Sequence, residues 1–266
     1  MTTARAVVLA RGLGTRMRAP DASAPLTAEQ RRLADAGLKA MMPLNGRPFL
    51  DYILSSLSDA GVRDVALVVA PDHDALRRYY ELDAPPVRVC LGFVVQEQPL
   101  GTANAVLAAE RWAEGEPFLA MNADNLYPVA ALTELAALSE PGLPAFDRDD
   151  LVRSSNIPVE RVRSFALLDV DDRGYLTGIV EKPEENGRKH LVSMNCWRFD
   201  ERIFSACHDV PRSSRGEFEL PEAVGLAVRR GVRFQAFTAR GPVLDLSTRA
   251  DAADVARRLA GTLPRP

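Results

Sequence analysis

Lysine is nearly absent from this 266-residue sequence. It stands only at positions 39, 182 and 189, although Lys and Arg together number 33. Either compositional bias has left three survivors, or the compact ammonium is kept where its shape is needed. Cysteine is scarce too: Cys90, Cys196 and Cys207 form no C-x-x-C pair, so a zinc site is not expected and all three read as small core residues in a reducing compartment. His73, His190 and His208 are scattered, which argues against a histidine metal cluster. No apolar run approaches the roughly 20 residues of a membrane span. No charged-then-apolar leader opens the chain, and a cytoplasmic protein is expected. The formal net charge of -3 offers neither nucleic acid nor an anionic membrane a basic partner. What remains is ordinary globular composition on a chain long enough to bury a core.

The order of apolar runs predicts an α/β fold. Residues 6–9 read as a buried strand that empties into Ala10-Arg11-Gly12-Leu13-Gly14-Thr15-Arg16. The segment 19–36 is polar and then helical, with Thr27-Ala28-Glu29-Gln30 resembling a capping box and Gly37 at the helix end. A helix follows from Phe49, closed by Gly61. Strands are predicted over 64–70, 87–95 and 117–121, with a helix over 103–112 that Thr102 would cap. Continuous apolar strands suit a parallel sheet covered on both faces, so the first half reads as doubly wound, with ligands at the carboxyl ends of its strands. In the second half, 141–160 reads as loop with irregular helix. Residues 163–170 and 175–180 read as a hairpin around Asp171-Asp172-Arg173-Gly174. Further strands are predicted over 191–199, 232–238 and 242–246, and helices over 219–230 and 248–260. The expectation is one domain over 1–266, with halves 1–130 and 131–266.

Glycines in the first turn let backbone N–H groups approach an anion, and Arg16 adds a fork of donors suited to phosphate. With the motifs that follow, the chain resembles the sugar-nucleotide pyrophosphorylases, the sugar-1-phosphate nucleotidyltransferases. Leu9-Ala10-Arg11-Gly12-Leu13-Gly14-Thr15-Arg16 looks like their signature loop, and Lys39 with Pro43 like the segment after it. Gln96-Glu97-Gln98-Pro99-Leu100-Gly101 has the spacing of their base-reading stretch. Asp124 and Asp245 fall where the family holds its metal-binding aspartates, Glu181-Lys182-Pro183 matches the sugar-phosphate motif, and Asn195 lies in the sugar-facing strand. Gly216-Glu217-Phe218-Glu219-Leu220 resembles the stretch before the last helices.

The resemblance implies a Rossmann-like, doubly wound mixed sheet of the nucleotide-diphospho-sugar transferase type. It implies Mg²⁺-dependent joining of an NTP, with UTP or dTTP favoured, to a sugar 1-phosphate. In that reading Arg16, Lys39 and Lys182 are catalytic, cancelling the charge of two anionic reactants. Leu9, Gly12, Gly14, Thr15, Gln96, Gly101 and Thr102 line the NTP site, and Glu181 and Asn195 hold the sugar phosphate. Asp124 and Asp245 share Mg²⁺ with phosphate oxygens. Whether the chain forms a homo-oligomer is left open by the sequence.

Three departures stand out. Arg11 occupies a position the family gives to glycine or alanine, so its side chain must point to solvent or alter how the base is held. Segment 19–38 is longer than in the shortest relatives, and 147–161 looks like an extra loop near the sugar side. The chain ends without the β-helical domain of bifunctional relatives, which argues against a bifunctional enzyme. Two rival readings are a cytidylyltransferase acting on a non-sugar phosphate such as phosphocholine, which would want an aromatic or acidic cage, and a non-catalytic nucleotide-sugar sensor, which would need no paired metal carboxylates.

Overall fold

In the computed structural model, residues 2–180 and 191–266 are described. Strand β1 (Arg5–Leu9) leads through the glycine turn into the single-turn helix α1 (Thr15–Arg18). Helix α2 (Ala28–Ala36) opens on the predicted capping box: Thr27 Oγ1 accepts from the Gln30 N–H at 3.2 Å, and Gln30 Oε1 from the Thr27 N–H at 2.9 Å. It ends at Gly37, whose backbone lies against Gly14. A Cβ on Gly14 would sit 2.8 Å from the Gly37 carbonyl oxygen, and Gly14 is left-handed (φ +61°). The 19–38 segment therefore returns to support the turn from which it departs.

A 3-10 turn (Lys39–Met41) precedes the small hairpin β2 (Pro43–Leu44) and β3 (Arg47–Pro48). The amphipathic pattern from Phe49 gives helix α3 (Phe49–Asp59), followed by β4 (Asp64–Val69), α4 (Asp74–Arg78) and β5 (Cys90–Val95). β5 is shorter than predicted: Val87 is 89% exposed, and Cys90 is exposed rather than a core residue. The other two cysteines are buried, and burial pushes the Cys207 thiol up to about 12. The helix expected over 103–112 is two pieces, α5 (Thr102–Ala108) and α6 (Glu110–Ala113). Thr102 is already helical and does not cap its own helix; its hydroxyl accepts from the Leu220 N–H at 2.9 Å. The cap position belongs to Gly101 (φ +107°), where a Cβ would lie 2.5 Å from the Phe218 carbonyl oxygen. Strands β6 (Phe118–Asn122) and β7 (Asn125–Leu126) and helix α7 (Val129–Ala137) complete this half.

The predicted loop over 141–160 is in fact led by a core strand, β8 (Gly142–Asp147). Pro144 and the flanking charges hid it, since proline within an apolar run argues against a central strand. Helices α8 (Arg148–Ser154) and α9 (Val159–Val162) come next. The predicted hairpin is present as β9 (Leu167–Val170) and β10 (Leu176–Val180), its turn held by Asp171 Oδ1, which accepts from the Arg173 and Tyr175 N–H groups. The strand expected over 191–199 is broken into β11 (Leu191–Ser193) and β12 (Cys196–Phe199) by Asn195, whose φ is +58°. Helix α10 (Arg202–Asp209) was not anticipated; α11 (Leu220–Arg229), β13 (Gln235–Ala239) and β14 (Leu244–Asp245) lie within one to three residues of expectation. The last helix, α12, starts at Asp251 rather than 248 and runs to Arg258.

Among the described residues ten strands form one sheet in the order β10-β9-β11-β8-β12-β6-β1-β4-β5, with β13 beside β8. β1, β4, β5 and β6 run parallel, whereas β12 and β11 enter antiparallel. Both faces are covered: in β4, Val65, Leu67 and Val69 pack into one core and Ala66 and Val68 into the other. That two-sided burial explains the continuous apolar runs. No described helix is long and apolar enough to cross a membrane.

Candidate functional site

Two cavities meet at the carboxyl ends of β1 and β6, where the parallel strand order reverses and open α/β sheets bind ligands. The first, about 380 Å³, is lined by Leu9, Gly12, Gly14, Thr15, Arg16 and Lys39 from the N-terminal side and by Gln96, Gly101, Thr102 and Asp124 from across the cleft. The second, about 430 Å³, is lined by Asp124, Asn195 and Asp245 together with Ser193 and Phe165. Arg16, Asn122, Asp124, Arg215 and Ser247 line both. The structure thus gathers every sequence-predicted site residue it describes. Glu181 and Lys182 lie outside the described residues.

Each side chain has an identifiable support. The Lys39 ammonium is ion-paired to Asp124 Oδ2, so a predicted phosphate ligand and a predicted metal ligand neutralise each other. Gln96 is 4% exposed, and its amide Nε2 donates to the Gly101 carbonyl at 3.1 Å and to Asn104 Oδ1 at 2.8 Å. Its own chain therefore uses both N–H groups, and an acceptor, Oε1, is what the amide has left. Asn195 Oδ1 accepts from Trp197 Nε1 at 3.2 Å, which accounts for a polar residue within a broken strand. Trp197 itself is fully buried, and Trp112 lies under the Arg5 guanidinium.

Asp245 sits on β14, paired antiparallel to β7 with Asp245 opposite Asn125, while the Leu246 N–H donates to the Asp124 carbonyl at 2.9 Å. This two-residue ladder brings the two carboxylates together. Burial, reinforced by the charge of Asp124, pushes the Asp245 carboxyl up to about 6. Its Oδ1 is buried without a hydrogen-bond donor, although Arg161 Nη1 lies 3.4 Å away as an ion-pair partner. The carboxylate that organises the entry to α12 is Asp251: its Oδ2 accepts from the Ser247 and Thr248 N–H groups and from Thr248 Oγ1.

Arg11 does not extend into solvent. Its Nη2 donates to the Glu97 carbonyl at 3.2 Å, while Nε and Nη1 are buried without partners and burial lowers its pKa. Sequence reasoning missed Arg215, Ser247, Asn156 and Arg161. Arg215 directly precedes the recognised Gly216-Glu217-Phe218-Glu219-Leu220 stretch and is held at 2.7 Å by the buried Glu219 carboxylate. That adjacency was the available signal. For Asn156 and Arg161 no local signal existed.

The chain has relatives among known proteins. The chain is 29% identical over 256 residues to the UTP–glucose-1-phosphate uridylyltransferase AglF of Haloferax volcanii, covering 96% of each protein. It is 27% identical over 253 residues to a glucose-1-phosphate thymidylyltransferase of Streptomyces antibioticus, covering 95% of this chain and 65% of that one. In structure it matches a UDP-glucose pyrophosphorylase complexed with UDP-glucose at a TM-score of 0.78, with 18% identity over 99% of this chain and all of the other, a likeness of fold. The family model described as Nucleotidyl transferase matches residues 5–259, and the chain belongs to that family.

Proposed function

We propose that this nucleotidyltransferase joins an NTP to a sugar 1-phosphate, releasing pyrophosphate and an NDP-sugar. One observation carries the reading: two cavities of reactant size converge on a shared floor of Arg16, Asp124 and Arg215, with Asp245 beside it. The nucleotide occupies the first cavity and the sugar phosphate the second. An oxygen of the sugar phosphate attacks the α-phosphorus in line, the bond from α-phosphorus to the bridging oxygen breaks, and pyrophosphate departs. Both reactants are anions, so positioning and charge neutralisation supply the catalysis.

The turn at 12–15 cradles phosphate with backbone N–H groups, and Arg16 grips the triphosphate. Lys39 moves from Asp124 to the phosphates when nucleotide enters. Arg215, fixed by Glu219, faces both reactants across the shared floor, and Lys182 and Glu181 are assigned to the sugar phosphate on sequence alone. Asn195 and Ser193 offer hydrogen bonds to sugar hydroxyls. A quaternary amine would instead want an aromatic cage, and Phe165 is the one aromatic among the described lining residues of the second cavity. The Oε1 acceptor left on Gln96 matches the N3–H of uracil or thymine, whereas cytosine and adenine present an acceptor at the corresponding ring position.

The residues fit a hard divalent cation. Asp245 Oδ1 is a buried carboxylate oxygen that makes no hydrogen bond and has the Arg161 guanidinium at 3.4 Å as an ion-pair partner, next to a second carboxylate, and Mg²⁺ takes one or two carboxylates and completes its shell with phosphate and water. Asp124 and Asp245 would hold it, and when bound it neutralises the phosphate oxygens around the reacting phosphorus.

A pyrophosphate-release screen of NTPs against sugar 1-phosphates with Mg²⁺ tests the reading. Release requiring both reactants, strongest with UTP or dTTP, is expected. Silence across all pairs by a chain that still binds nucleotide would favour a sensor.

A further inference from the structure

We propose that Asn156 is a positioning residue that sets the backbone of Asp245 at the cation-binding end of β14. The inference rests on the reading that Asp124 and Asp245 hold the divalent cation.

The geometry is specific. Asn156 Nδ2 donates to the Asp245 carbonyl at 2.7 Å, and Asn156 Oδ1 accepts from the Asp245 N–H at 2.8 Å. One side-chain amide thus reads both polar groups of one backbone residue, as a neighbouring strand would. β14 is only two residues long, so it cannot fix its own direction by a ladder. Two residues upstream, the Val243 N–H donates to Ser155 Oγ at 3.0 Å. Beyond Asn156, Arg161 lays both guanidinium nitrogens on Asp251 at 3.1 Å, and Asp251 in turn holds the Ser247 and Thr248 N–H groups. Asp245 is thereby bracketed on both sides by contacts from one segment. A carboxylate that must meet a cation with near-ideal octahedral demands needs that restraint, and outer-shell partners of metal ligands typically control affinity by about 10–100-fold. Asn156 carries no charge, so its removal changes geometry without changing the field at the site.

The test is Mn²⁺ binding to the full chain without nucleotide, read by the loss of the free Mn²⁺ EPR signal, beside the melting temperature. Asn156→Ala is expected to weaken Mn²⁺ binding about tenfold. Asn156→Ser, which keeps a short hydroxyl, is expected to fall between, and serves if the alanine variant does not fold. Ser155→Ala removes one bond from the same segment to the same strand and is expected to lower the melting temperature with Mn²⁺ affinity within about twofold of the unmutated chain. Equal Mn²⁺ losses in Asn156→Ala and Ser155→Ala, or no loss in either Asn156 variant, would overturn the inference. Asp245→Asn separates the two levels: if it leaves Mn²⁺ binding intact, the cation reading itself fails. If it abolishes binding while the Asn156 variants bind normally, only the positioning role fails.

Discussion

The two walls of the cleft are held in place by different means. On the nucleotide side, strand, glycine turn and Arg16 follow one another within a dozen residues, and the left-handed Gly14 closes the turn against Gly37, 23 positions on. On the cation side, the carboxylates owe their places to partners far away in sequence: Asn156 is 89 positions from Asp245, and the Lys39–Asp124 pair spans 85. The first wall is encoded locally and the second by tertiary pairing. Substitutions in the first wall should therefore disturb one substrate, and substitutions in the second should disturb everything the carboxylates touch.

The largest effect is expected where the walls join. Asp124→Asn should reduce pyrophosphate release by a thousandfold or more, on the order of the several kcal/mol a bound cation supplies, with the far-UV spectrum unchanged. Activity within tenfold of the unmutated chain would dissolve the distinction between the walls. Next is Gly14→Ala, which puts a Cβ 2.8 Å from the Gly37 oxygen on a left-handed backbone. The conformational cost alone is about 1–2 kcal/mol, and the apparent NTP affinity should fall at least tenfold while Mn²⁺ binding holds. If both fall together, the first wall is not independent.

The third prediction concerns pH. Burial and the neighbouring Asp124 charge push the Asp245 carboxyl up to about 6 in the folded chain, above the roughly 4 of an unfolded aspartate. The folded form therefore binds more protons between those values, and its stability falls as pH rises through that window. Melting temperatures in EDTA should show a decline from pH 4.5 to 6.5 that Asp245→Asn removes and Mg²⁺ offsets above pH 6. A decline of the same size in the Asp245→Asn variant would remove Asp245 as its source. The smallest effect is expected at Arg11. Arg11→Gly frees one hydrogen bond to Glu97 and relieves two buried unpartnered donors. These oppose each other, so the melting temperature should move by about 2 °C or less, and any change in activity should appear in NTP KM rather than kcat.

Legibility in the sequence follows the same division. The capping box at Thr27, the strand-turn-arginine run and the hairpin at Asp171 were readable because all the interacting residues are neighbours. β8 was not, because Pro144 breaks the expected strand pattern and its place is secured by the parallel partner β13, some ninety residues on. The break at Asn195 and the re-employment of the Thr102 hydroxyl by Leu220 likewise depend on distant backbone. Segment 147–161, readable only as an extra loop, contains in Asn156 and Arg161 side chains that touch Asp245 and its neighbour Asp251.

The contact between Gly14 and Gly37 makes the ends of the intervening segment less free to vary than part of its middle. Past Arg16, which lines the cleft, the largely exposed residues 19–25 can lengthen, shorten or change composition without reaching it, whereas Leu26, Leu33 and Ala34 are buried in the core. At position 37 the chain has no such latitude, since any side chain there collides with the Leu13 carbonyl and the Arg18 guanidinium. Diversity in this part of the fold should therefore be permitted over residues 19–25 and forbidden in how the two glycines meet.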